Sequence, residues 1–175
     1  MSLAVTGLTP VGTVHTAISL VAVLAGLLAL LRNRAILPAT SLGKTYGITT
    51  VLTCITGFGI FQNGGFGAPH VLGIITLVVL GIAWRADRAK PFGRLSPYIA
   101  TVGMSATFFF HMIPGVAETA TRLPVGAPWA ESNESPGVQK IVGALFVVFL
   151  IGATAQVVHL RAKSATTLHA RPTAR

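Results

Sequence analysis

Ser96-Pro97-Tyr98-Ile99-Ala100-Thr101-Val102-Gly103-Met104-Ser105-Ala106-Thr107-Phe108-Phe109-Phe110-His111-Met112-Ile113-Pro114 contains no Lys, Arg, Asp or Glu. About 20 such residues suffice for a helix to cross the hydrocarbon core of a bilayer. One imidazole, His111, lies inside its apolar part. An ionisable group at that depth is expensive to keep, which makes it a functional candidate.

The composition around this stretch agrees with a membrane protein. Of 175 residues 52% are hydrophobic and only 10% are charged. A soluble domain carries about 25% charged residues, so this chain lacks the charge to cover a water-facing surface. The formal charge of +9 comes from 13 Lys and Arg against four Asp and Glu. These cations cluster in short segments between apolar runs, as membrane topology requires. No aromatic RNA-binding motif accompanies them, and a nucleic-acid partner is not expected. Cys54 is the only cysteine and reads as a small buried hydrophobe.

Working outward, apolar runs predict spans over 14–31, 46–62, 70–84, 97–116 and 138–160. Thr13 is the expected N-cap of the first, after Pro10 and Gly12. Asn63-Gly64-Gly65 reads as a turn, and 161–175 as a cytoplasmic tail. The fold class is therefore all-α, one integral membrane bundle of five transmembrane helices. No basic residue precedes the first run, and no small-residue cleavage site follows it, unlike a cleaved signal peptide. Segments 32–45, 85–96 and 161–175 hold 11 of the 13 Lys and Arg. The positive-inside rule then places the C-terminus in the cytoplasm and the N-terminus outside, in the inner membrane.

With that topology His15, His70 and His111 share the outer leaflet. Residues Ala100, Gly103 and Thr107 form a small-residue stripe on the His111 face, suited to close helix contact. Pro114 is expected to open the helix near Phe110. Glu118, seven residues beyond His111, would share its face in a continuous helix and orient the imidazole. His159 and His169 read as interfacial or solvated side chains at the cytoplasmic end.

The Leu42-Gly43-Lys44-Thr45-Tyr46 entry to the second span, His15 opening the first, and Gly67-Ala68-Pro69-His70 at the third carry a likeness. In these the chain resembles a family of small bacterial multi-pass membrane proteins, domain of unknown function 2306, over about its first four spans. The His-Arg pair frequent before that family's second span is missing here, and the fifth span is no general family feature. The resemblance implies a topology and no activity.

Two functions fit. In one, His15, His70 and His111 hold a transition metal, Cu or Zn, with an open fourth position. Alternatively His70 and His111 clasp haem b between helices. Either could be redox-active, and enzyme activity would come only through such a cofactor. In the other, the protein is a small transporter or an assembly subunit, with His111 as proton relay or structural hydrogen bonder. Its partners are then the lipid bilayer and other membrane proteins or further copies of itself. No HExxH, CxxC, P-loop or Ser/His/Asp motif is present to decide between them.

Overall fold

The computed structural model describes residues 9–61 and 65–169. Five helices alternate in direction. They are α1 (Pro10–Asn33), α2 (Ser41–Gly57), α3 (Ala68–Ala89), α4 (Ser96–Arg122) and α5 (Pro136–His169). A 3-10 turn, Gly93–Leu95, leads into α4.

The caps follow from local chemistry. Thr9, not Thr13, caps α1, accepting from the Gly12 N–H at 3.1 Å. Pro10 is thus inside the helix at its first turn, where a missing N–H costs nothing. Thr40 caps α2 through the Gly43 N–H at 3.1 Å. Arg34 ends α1 in the left-handed region, its N–H returning to the Leu30 carbonyl at 2.8 Å. α4 runs unbroken through Pro114.

The expectation of five transmembrane helices is corrected at α2. Only α1, α3, α4 with its leading turn, and α5 are long and apolar enough to cross a membrane among the described residues. α2 has 17 residues, about 26 Å at 1.5 Å per residue, against a hydrocarbon core of about 30 Å. It also carries Lys44 and five threonines, Thr45, Thr49, Thr50, Thr53 and Thr56. The chain is a multi-pass membrane bundle of five helices, four of which meet the requirement for spanning.

α2 packs on α1 and α3, α4 on α1, α3 and α5. The core is made of small residues, Ala22, Ala25, Ala29 and Ala83, around Tyr46, Ile36, Leu80 and Met104. Close approach is the reason. A Cβ on Gly26 would lie 2.6 Å from Phe108, and one on Gly103 would lie 3.0 Å from the Ala83 Cβ. Ala100 and Thr107 of the expected stripe are buried beside Gly103. Large apolar side chains face outward instead, Leu24, Ile55, Val78 and Val148 among them. Lipid is as apolar as they are, so van der Waals packing and interhelical hydrogen bonds hold the helices together.

Among the described residues, the basic segments 32–45, 85–96 and 161–166 lie at one end of the bundle. Trp84 lies against Gly47, near the start of α2. The Gln156 amide of α5 donates to the Arg34 carbonyl at 2.9 Å. The opposite end holds the N-terminal turn of α1, the start of α3 and the 123–135 connection. That connection folds back on α4, with the Ala130 N–H on the Ala120 carbonyl at 3.1 Å. The residues expected as a tail, 161–169, continue α5. The side chain of His169, residues 170–175, and the expected turn at Asn63 and Gly64 lie outside the described residues.

Candidate functional site

Threonines inside helices normally return their hydroxyl to their own backbone. Thr49, Thr53 and Thr56 do so, to the carbonyls of Thr45, Thr49 and Leu52 at 2.7, 2.8 and 2.8 Å. Thr50 turns its hydroxyl across to α4, where Oγ1 lies 3.1 Å from His111 Nε2. Both side chains are buried, Thr50 at 0% exposure and His111 at 7%. The imidazole also meets the Tyr46 ring edge-on, at 6.0 Å between centroids.

Tyr46 extends this polar seam. Its hydroxyl lies 2.8 Å from Thr107 Oγ1. The Thr107 proton is committed to the Met104 carbonyl at 2.8 Å, so Tyr46 donates to Thr107. One α-helical turn from Thr107 comes His111, and one from Tyr46 comes Thr50. The seam thus joins α2 and α4 across two successive turns.

His15 hangs on the same face of the bundle. Its Nδ1 is 3.1 Å from Thr56 Oγ1. The Thr56 proton already goes to the Leu52 carbonyl, so His15 Nδ1 donates. Gly57 makes this approach fit, since a Cβ there would be 3.1 Å from His15 Cε1. Thr50 and Thr56 are six residues apart, about 9 Å along the helix.

His70 has a different occupation. It is the third residue of α3, and its Nδ1 accepts the Gly67 N–H at 3.2 Å. That bond is half of a capping box. Its ring stacks on Phe58, Phe61 and Phe66, with centroids 6.5, 5.1 and 5.1 Å away. Nδ1 is an acceptor, so the neutral ring carries its proton on Nε2, which is buried without a partner among the described residues. A metal-bound histidine has the reverse arrangement, with one nitrogen on the metal and the other donating.

All three histidines therefore gather around the C-terminal half of α2, each on a separate partner. Among the described residues no three His, Cys, Asp or Glu side chains are grouped to hold a metal ion. The donor arrangement at His70 does not fit a Cu, Zn or haem ligand. Glu118 pairs with Arg122 one turn on, and the partner of His111 is Thr50. Glu118 and Arg122 line a polar cavity of about 290 Å³ at this end, with Glu131 and Asn133.

Tyr46, Thr50, Thr56 and Thr107 did not stand out in the sequence as functional. A signal existed, since Gly43, Tyr46 or Gly47, Thr50, and Thr53 or Cys54 recur every three to four residues and are all buried. No family model, curated protein or solved structure matches the chain.

Proposed function

We propose that this protein is a small proton-handling membrane transporter, or a subunit of one, in which His111 takes up and releases the proton. The observation that carries this reading is the cross-helix bond from buried His111 to a threonine whose hydroxyl has left its own backbone. A relay needs groups that both donate and accept, and the hydroxyls of Thr50, Tyr46 and Thr107 do so. Chained hydrogen bonds also polarise one another in a low-dielectric interior. His15, bonded to Thr56 toward the C-terminal end of α2, is the second imidazole of the proposed path and supplies its entry. Ionisable residues that face a bundle interior mark ion pathways and proton relays among their uses.

The cation distribution supports an orientation in the inner membrane. The end formed by Arg32, Arg34, Lys44, Arg85, Arg88 and Lys163 faces the cytoplasm by the positive-inside rule. The Glu118 cavity then opens outside.

The test is proton flux in proteoliposomes under an imposed potassium diffusion potential, read by an enclosed pH-sensitive dye. Wild type exceeds empty liposomes, His111→Ala falls to their level, and His159→Ala keeps the wild-type rate. Wild-type flux equal to that of empty liposomes, or full flux in His111→Ala, overturns the proposal. Metal content and visible absorption of the same preparation test the other function. A stoichiometric metal ion or a haem band that disappears in His111→Ala places the chemistry on a cofactor.

A further inference from the structure

At the basic end, α1, α4 and α5 enclose a crevice of about 530 Å³, within the roughly 300–1,000 Å³ typical of ligand sites. Its floor is apolar and small, with Leu30, Gly152 and Ala155, and its rim carries Arg34, His159 and Lys163. No acidic residue lines it. The acids among the described residues are Asp87 on α3 and Glu118, Glu131 and Glu134. The last three lie on the opposite half of the chain fold, at the far end of α4 and in its connection to α5.

One wall is fixed by a specific bridge. Gln156 accepts from the Ser105 hydroxyl at 3.1 Å and donates to the Arg34 carbonyl at 2.9 Å. This ties the end of α1 to α4 and α5. Arg34 sits at a left-handed backbone position, φ 57°, where glycine is the usual residue. Its backbone is engaged on both sides, by Leu30 through its N–H and by Gln156 through its carbonyl.

An apolar floor inside the bilayer with cations at its mouth complements a molecule with an acyl chain and an anionic head. We propose that this crevice binds an anionic phospholipid, its phosphate on Arg34 and Lys163 and its first acyl segment over Gly152 and Ala155. Basic pockets between membrane helices on the cytoplasmic side recognise such head groups. The inference is independent of the proton-handling reading, since no residue of the His111 seam takes part.

The experiment is native mass spectrometry of the full chain released from nanodiscs of phosphatidylglycerol and phosphatidylcholine mixed equally. Wild type retains phosphatidylglycerol in excess. The double variant Arg34→Gln, Lys163→Gln weakens that retention about 25-fold, from about five-fold per basic residue near a membrane surface. A control, Arg85→Gln with Arg94→Gln, removes the same charge from the same end outside the crevice and keeps the excess. Ala155→Phe fills the floor with all charges in place and loses it. Equal retention of both lipids by wild type overturns the proposal. So does an equal loss in the control, which would mark diffuse attraction, or displacement by millimolar inorganic phosphate, which would mark a simple ion site.

Discussion

Thr50→Val replaces a hydroxyl by a methyl of nearly the same shape at a fully buried position. What is lost is the bond to His111 Nε2 at 3.1 Å, leaving a buried imidazole nitrogen without that partner. Orphaning a buried polar atom costs about 1–3 kcal/mol. Interhelical hydrogen bonds in membranes run lower, averaging about 0.6 and reaching about 1.7 kcal/mol. The expected destabilisation is therefore about 1–2 kcal/mol, a roughly 5–30-fold change in the folded-to-unfolded ratio. Thr49→Val on the adjacent residue is the internal control. Its hydroxyl bonds only its own helix, to the Thr45 and Tyr46 carbonyls, and its loss should cost less than about 0.5 kcal/mol. In a His111→Phe background, Thr50→Val should become nearly neutral, because no imidazole remains to be orphaned. The assay is reversible SDS unfolding in mixed micelles followed by far-ultraviolet circular dichroism. Equal costs for Thr49→Val and Thr50→Val, or an unchanged Thr50→Val cost with His111→Phe, would refute the assignment of Thr50 as the partner of His111.

Glycine substitutions should rank by what a Cβ meets. Gly43→Ala, directed at the Leu37 backbone carbonyl at 1.9 Å, should destabilise most. Gly26→Ala and Gly47→Ala, against the Phe108 and Trp84 rings at 2.6 and 2.7 Å, should cost about 1–3 kcal/mol in the same SDS titration. Gly81→Ala, with nothing within 4 Å, should be neutral or stabilising. His70→Phe gives up the Gly67 cap but also removes the buried unpartnered Nε2. It should shift stability by less than about 1 kcal/mol and leave proton flux intact, and a loss of flux would draw His70 into the site. An alkaline phosphatase reporter inserted near Trp129 should be active and one after Arg175 inactive, and the reverse pattern would invert the proposed orientation.

The parts of this bundle legible in the sequence were those set by the solvent. Low charge, long apolar runs and the clustering of cations follow from moving a chain out of water, and the runs at 14–31, 70–84, 97–116 and 138–160 lie in α1, α3, α4 and α5, stretches long and apolar enough to cross. α2 escaped that logic. It is only 17 residues long and its threonines raise its polarity, so reading 46–62 as an apolar run overstated it as a span. Thr49, Thr53 and Thr56 satisfy their hydroxyls on carbonyls of their own helix, which lets so polar a helix pack among apolar neighbours. His70 shows why the three-histidine convergence was only half visible. Position along a helix predicts the end of the bundle at which a side chain sits, and all three histidines lie near the C-terminal half of α2. It does not predict the azimuth of a side chain or the hydrogen bond its second nitrogen makes. At His70 those were decided by a local cap, the Gly67 N–H three residues back, and by phenyl rings from the α2–α3 connection.

For His111 the deciding neighbour came from 61 residues away, and what brings it there is a spacing rather than a motif. Gly43, Gly47 and Gly57 lower one side of α2 enough for Leu37, Trp84 and His15 to approach, and Tyr46, Thr50 and Thr53 lie along the same helix at buried positions. Those glycines admit the α1–α2 loop, α3 and α1, and on the same side of α2 Thr50 is the threonine whose hydroxyl reaches α4. At Thr50 the leaving hydroxyl finds an imidazole. At Thr53 and Thr56 the proton stays on the helix, and at Thr56 only the oxygen is offered, to His15. A variant that pushes the Trp84 ring away from α2, Gly47→Ala, should disturb proton flux as well as stability, although the side chain it meets belongs to α3 and is no hydroxyl or imidazole of the seam.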